Sequence, residues 1–146
     1  MVPWVSEEAE WEFWESRKPL ALTREWAEKR LASPHALLIS VLQRVLVTVP
    51  PNVVLPDIIG SIASLNLFAA ITAATAGGKD RALDVARGAV VVENGMPYRE
   101  CYPGSGEALV DLFAHSEGQK YKQTVVDHDC VLLRASEVDA LTALGS

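Results

Sequence analysis

Basic residues are in short supply: 13 Lys and Arg stand against 19 Asp and Glu, for a net charge of −6. A chain of this sign offers no bulk electrostatic footprint for a nucleic-acid backbone. Its Lys and Arg are scattered rather than gathered into a patch, so direct contact with DNA has no support of its own. Cysteine is nearly absent. Cys101 and Cys130 fit no metal-ligand spacing, and with no secretory signal in view they read as free thiols in a reducing cytosol. Met1-Val2-Pro3-Trp4 leads into an acidic run, which is not the basic-then-apolar order of a signal peptide. The apolar stretches Ala36–Val49 and Val53–Ala76 are interrupted by polar residues, proline or glycine. Neither gives the ~20 uninterrupted apolar residues of a membrane span. The expectation is a soluble, cytoplasmic protein with no membrane partner. His35, His115 and His128 share no ligand spacing, and G-x-S-x-G, H-E-x-x-H and Cys–His pairings are missing. Hydrolase chemistry without a nucleotide therefore has no support. Internal repeats and low-complexity tracts are missing too.

What is present is a globular composition. Of 146 residues, 49% are hydrophobic and 22% charged, enough to bury one core. The first fifty residues read as a helical module. Glu7–Arg17 is helical, with Trp11, Phe13 and Trp14 on one apolar face, and Pro19 stops it. Thr23 caps a second helix through Leu31. Ser33-Pro34 starts a third, with Ser33 as cap and Pro34 as its first residue. In that helix Leu37, Leu38, Val41, Leu42, Val45, Leu46 and Val49 form a buried stripe, and Pro50-Pro51 ends it.

From residue 51 to 146 the pattern changes to an α/β segment. Asn52–Gly60 is short and extended, broken by Pro56. Ser64–Thr72 is an apolar run of core-strand character. Asp80–Arg87 is helical with Gly88 as terminator, and Ala89–Glu93 is strand-like. Asn94-Gly95 makes a turn. Gly104 to His115 is a helix followed by a polar loop over Ser116–Lys120. Gln123–Val126 and Cys130–Arg134 form either a hairpin or one irregular strand. Strands alternating with helices argue for a parallel sheet.

The chemistry concentrates in Ala73-Ala74-Thr75-Ala76-Gly77-Gly78-Lys79-Asp80. A strand, a small-residue glycine loop, a lysine and a helix is the layout of a phosphate-binding P-loop. There, backbone N–H groups wrap a phosphate at a helix N-terminus and the lysine reaches its outer oxygens. The usual form is G-x-x-x-x-G-K-[ST]; here the first glycine is Ala73 and the hydroxyl residue is Asp80. The same residues also suit a plain turn between strand and helix. A second group is Glu137 and Asp139, after the apolar run Cys130–Leu133. Carboxylates at that place hold Mg²⁺ and prepare the attacking water in P-loop enzymes; they also suit a helix N-terminus capped by Ser136. Gly104-Ser105-Gly106-Glu107 is either an anion-contacting loop or an ordinary helix start.

Taken in order, S-L-N-L-F-A-A-I-T-A (64–73), A-G-G-K (76–79), P-G-S-G-E-A-L (103–109) and V-L-L-x-x-S-E-V-D-A-L-T-A-L-G-S (131–146) resemble the P-loop ATPases of actinobacterial phages and mobile elements. Those proteins are associated with primase and replication genes. The resemblance runs from about Phe13 onward and includes the P-P-x-V-V-L-P stretch at Pro50–Pro56. It implies N-terminal helices followed by a partial P-loop NTPase-like parallel sheet. It further implies ATP and Mg²⁺ as ligands, a phosphate site over Ala73–Asp80, Glu137 and Asp139 as the catalytic carboxylates, and Asp139 as metal ligand. Ala73, Asp80 and Ala108 depart from the glycines of the group's pattern, and the relatives continue well past the equivalent of Ser146. The corresponding expectations are a degenerate or truncated nucleotide-binding protein, exposed sheet edges, and completion by a C-terminal half or by other subunits of a homo-oligomer. The alternative is a non-catalytic interaction or structural protein that retains the fold.

Overall fold

The computed structural model describes residues 5–58, 60–73, 78–91, 99–102, 111–117, 123–126 and 129–135. Its described part is a mixed α/β chain with four helices and three two-stranded sheets. Two compact units emerge, each discontinuous in sequence: Met1–Arg44 with Phe68–Val91, and Val45–Leu67 with Val92–Ser146.

The first unit is helical. Helix α1 (Glu7–Glu15) begins where Ser6 Oγ accepts the Ala9 N–H at 3.1 Å, and Glu7, Glu8 and Glu10 sit in its first turn, where the helix dipole favours negative charge. Of its aromatic residues only Trp14 is buried, packed edge-on against Phe13 and His35 with ring centroids 5.0 and 5.1 Å away. Trp11 is exposed, and the Arg24 guanidinium lies over its ring at 4.4 Å. The single aromatic face expected for α1 is thus divided between core and surface.

Helix α2 (Lys18–Lys29) corrects the expected role of Pro19. The proline stands in the first turn of α2, where its missing N–H costs nothing. Thr23 is therefore inside the helix rather than its cap, and its hydroxyl donates to the Pro19 carbonyl at 2.8 Å.

Helix α3 (Pro34–Leu46) starts as expected, with Ser33 Oγ accepting the Ala36 N–H at 3.5 Å. Its buried stripe is rotated from the expected one. Ala36, Leu37, Ser40 and Arg44 are buried, whereas Leu42 and Val45 are exposed. Ser40 tolerates burial because its hydroxyl donates to the Ala36 carbonyl at 2.8 Å. Helix α4 (Lys79–Ala89) contributes Ala82 and Ala86, both fully buried. Ala27, Leu37 and Ala86 form the centre of the core, with Trp26, Ala32, Val41 and Val85 around it. Two alanines at the centre let α2 and α4 come close. Gly88 does not end α4; the helix runs through it to Ala89, and Val90 caps it in an extended conformation. The strand expected from Ala89 thus begins with a helical residue, and residues 92 and 93 lie outside the described part.

The second unit holds the sheets. Strands β1 (Val54–Leu55) and β2 (Ala63–Ser64) pair antiparallel, Val54 opposite Ser64 and Leu55 opposite Ala63. The turn between them is fastened by the Gly60 N–H donating to Asp57 Oδ1 at 3.0 Å, with Gly60 at φ 106. Strands β3 (Arg99–Cys101) and β6 (Val131–Leu133) pair in parallel, Arg99 opposite Val131. Strands β4 (Ala114–Glu117) and β5 (Gln123–Val126) form an antiparallel pair with His115 opposite Val125. His115 and Ser116 are therefore strand residues, not the end of a helix and the start of a loop. Gln123–Val126 pairs with the segment before it, not with Cys130–Arg134.

The largest correction concerns Ser64–Thr72. Only Ser64 belongs to a strand; residues 65–73 have no regular secondary structure, and Phe68 is 92% exposed. Among the described residues no strand pairs along this run; Leu67 and Phe68 are exposed, and Leu65 and Ile71 are partly covered. The expected neighbourhood of Cys130–Leu133 and Ser64–Thr72 is replaced by the β3–β6 pair. Among the described residues, every buried hydrophobic residue belongs to the first unit.

Candidate functional site

The glycine loop meets α4 in a specific local geometry. Gly78 is the N-cap of the helix with φ 74 and ψ 17, in the left-handed region. An L-residue is strained there and glycine is not. Lys79 is the first helical residue, and the cap residue, being glycine, has no side chain to offer this end. The Arg81 N–H donates to the Gly78 carbonyl at 3.1 Å, which tightens the first turn. Asp80 lies exposed in that turn, where the helix dipole favours its carboxylate.

The beginning of α4 is held against α2 by a side chain. Arg81 Nε donates to the Arg30 carbonyl at 2.7 Å, satisfying a C-terminal acceptor of α2. Further along α4, Ala82 and Ala86 face the core while Asp84 and Arg87 pair at 3.0 Å on the outside. The buried and exposed faces thereby fix the helix's rotation.

Of the expected phosphate-site residues, Ala73 is exposed and lies outside any strand or helix, whereas Gly78, Lys79 and Asp80 are brought together at the start of α4. Ala74, Thr75, Ala76 and Gly77 lie outside the described residues. So do Glu137 and Asp139, Asp139 being the expected metal ligand, and the segment Gly104–Glu107. The last described residues before them follow β6, where the Arg134 N–H donates to the Cys101 carbonyl at 2.9 Å. Among the described residues no group of three or more His, Cys, Asp or Glu side chains is arranged to hold a metal ion.

Sequence reasoning passed over two features of the first unit. One is Arg81, whose position two residues after Lys79 was the available signal for a first-turn anchor. The other is Trp26, with the Arg30 guanidinium 3.6 Å from its ring centroid. Here the signal was the spacing of Leu22, Trp26 and Lys29, which puts all three on one side of α2.

Comparisons with models of protein families, with curated proteins and with solved structures give no match to this chain. Among the described residues, no helix is long and apolar enough to cross a membrane.

Proposed function

We propose that the chain is a nucleotide-binding protein with a degenerate P-loop, related to the replication ATPases of mobile elements and phages that its sequence resembles. The observation that carries this reading is left-handed Gly78 leading directly into a helix whose first residue is Lys79. A helix start of this kind leaves backbone N–H groups and the positive dipole end for an anion. In this reading Gly77 and Gly78 allow close approach of the phosphates and Lys79 contacts their outer oxygens. Glu137 and Asp139 serve the attacking water and Mg²⁺. Bound Mg²⁺ neutralises charge on the phosphate oxygens.

Turnover is expected to be negligible. Asp80 adds negative charge beside the incoming phosphates and replaces the metal-binding hydroxyl. Ala73 restricts the loop where glycine is usual. Phosphoryl transfer depends on positioning and electrostatic stabilisation, and both departures weaken these. The apolar exposure along residues 62–68 supports completion of the sheet by further polypeptide, as a C-terminal half or as another subunit. It equally favours a second reading, in which the chain is an interaction protein that has given up turnover.

Titration with Mg²⁺-ATP, followed by calorimetry and by phosphate release, tests the proposal with Lys79→Ala as the control. The expected result is weak saturable binding lost in the variant, with equal background release from both proteins. Robust release abolished by the substitution would make the chain a working ATPase. Absence of binding in both would leave the interaction reading.

A further inference from the structure

Helix α1 holds five glutamates and no lysine or arginine. Glu10 Oε1 lies 3.8 Å from His35 Nε2, whereas Glu7, Glu8, Glu12 and Glu15 have no ion-pair partner among the described residues. Neighbouring α2 is built the other way. Its exposed Glu25 and Glu28 are each matched by a base four residues away, Lys29 and Arg24. Local energetics oppose the arrangement on α1. Glu8 and Glu12 stand four residues apart and Glu12 and Glu15 three apart, so like charges repel along one side. Glu12 and Glu15 also fall in the last turn, where the helix dipole disfavours negative charge. A cation laid along this side relieves both.

The surroundings of these carboxylates define which cation fits. At about 100° per residue, Trp11, Glu15, Glu8, Glu12, Ala9 and Phe13 follow one another around the helix, away from buried Trp14. The carboxylate row is thus bordered by an aromatic ring on each side, and all six residues are exposed, Trp11 by 57% and Phe13 by 44%. Rings beside carboxylates suit a long basic side chain, whose methylenes cover the ring while its head meets the acid. Trp11 already holds a guanidinium in this way: Arg24 lies 4.4 Å from its ring centroid while pairing with Glu28 at 2.9 Å. The chain as a whole carries a net charge of −6, which disfavours a second copy, a nucleic acid or an anionic lipid surface as the occupant.

We infer that the solvent face of α1 docks a basic helical segment of another protein. Arginines spaced four and three residues apart meet Glu8, Glu12 and Glu15, and an apolar residue beside them covers Ala9 and Phe13. This face shares no residue with the proposed phosphate site and does not rest on the nucleotide reading.

The probe is a synthetic alanine-based peptide with three arginines at that spacing and leucines beside them. Its control carries citrulline for each arginine, which keeps the shape and removes the charge. Both are titrated into the full chain at low salt by calorimetry. The arginine peptide is expected to bind saturably, and the citrulline peptide roughly tenfold more weakly. The triple variant Glu8→Gln, Glu12→Gln, Glu15→Gln should lose about the same tenfold for the arginine peptide. Phe13→Ser should weaken both peptides roughly three- to fivefold. A variant of equal net charge altered outside α1, Glu25→Gln, Asp84→Asn, Asp129→Asn, all at exposed positions, should bind as the parent does. Glu12→Gln alone should raise the melting temperature of the free chain while weakening the peptide, opposite signs that a merely structural carboxylate does not give. Unsaturable binding, equal affinity for the two peptides, or an equal loss in the variant altered outside α1 would overturn the inference. So would a lower melting temperature for Glu12→Gln, or self-association of the chain that the α1 triple variant abolishes, which would make a second copy the occupant.

Discussion

Arg81 and Arg30 are 51 residues apart in sequence, and the Nε–H of the first donates to the carbonyl of the second at 2.7 Å. This bond ties the first turn of α4 to the end of α2. The helix that carries Lys79 is thereby fastened to the N-terminal helices, whose core already receives Ala86.

Arg81→Ala should therefore destabilise the helical unit, leaving the Arg30 carbonyl to water. The bond is exposed, so a loss of about 1 kcal/mol is expected, the ordinary net value for such an interaction. Urea unfolding monitored by helical circular dichroism measures it. A midpoint unchanged within error would show that this bond does not hold α4 in place.

Gly78 and Gly88 should respond to alanine with opposite signs. Gly78 has φ 74, so Gly78→Ala forces an L-residue into the left-handed region at a cost of about 1–2 kcal/mol. Gly88 is exposed inside α4, with open space where a methyl group would stand. Gly88→Ala should stabilise the helix by about 0.5–1 kcal/mol. Thermal melts of the two variants check both signs, and destabilisation by Gly88→Ala would refute the account of α4.

What could be read in the sequence follows from how local its cause is. Ser33-Pro34 announces α3 because cap and first-turn proline act within four residues. Pro19 was misread because proline stops a helix from its interior yet is welcome in the first turn, and the residue pattern around it permits both. Burial on α3 depends on which side meets Leu37's neighbours, so the polar Ser40 and Arg44 were not legible as core. The run Ser64–Thr72 has strand composition, but a strand exists only with partners along its edges. Here the pairing stops at Ser64. Strands β3 (Arg-Glu-Cys) and β4 (Ala-His-Ser-Glu) show the same limit from the other side, since their polar residues carry no strand pattern and only pairing with β6 and β5 makes them strands. At the start of α4 a helix after the glycine pair was legible, because glycine's left-handed freedom is intrinsic, although the helix begins at Lys79 rather than Asp80.

The Glu25–Lys29 pair gives a pH dependence of definite sign. The hydrogen bond from Lys29, followed by its positive charge, holds the Glu25 carboxyl below its ordinary value of 4.5. A depressed folded-state value means that the contribution is present above the unfolded value and is lost as pH falls through the folded one. The stability difference between the parent and Glu25→Gln should shrink as pH drops below about 4.5 and should also shrink with added salt. Both groups are exposed, so the difference is small even at neutral pH. A carboxyl titration midpoint at or above 4.5, read by NMR for Glu25, would exclude the pair as the cause.

Asp80 is the substitution at which the nucleotide reading is most exposed to test. It stands in the first turn after Lys79, where a P-loop places the hydroxyl that contacts Mg²⁺. Asp80→Thr removes a negative charge beside the proposed phosphate position and restores that hydroxyl. Removing one like charge at this partly screened distance is worth about 1 kcal/mol, or roughly fivefold in affinity. The Mg²⁺-ATP dissociation constant, measured by calorimetry, should therefore fall in Asp80→Thr, and the gain should vanish in the double variant with Lys79→Ala. Loss of the favourable carboxylate at the helix start acts in the other direction on stability, by about 0.3–1 kcal/mol. The two effects are separable, because a melting scan without nucleotide should show the small destabilisation while titration shows the tighter binding. An unchanged dissociation constant, with the destabilisation present, would leave Asp80 as a helix-start residue with no phosphate before it.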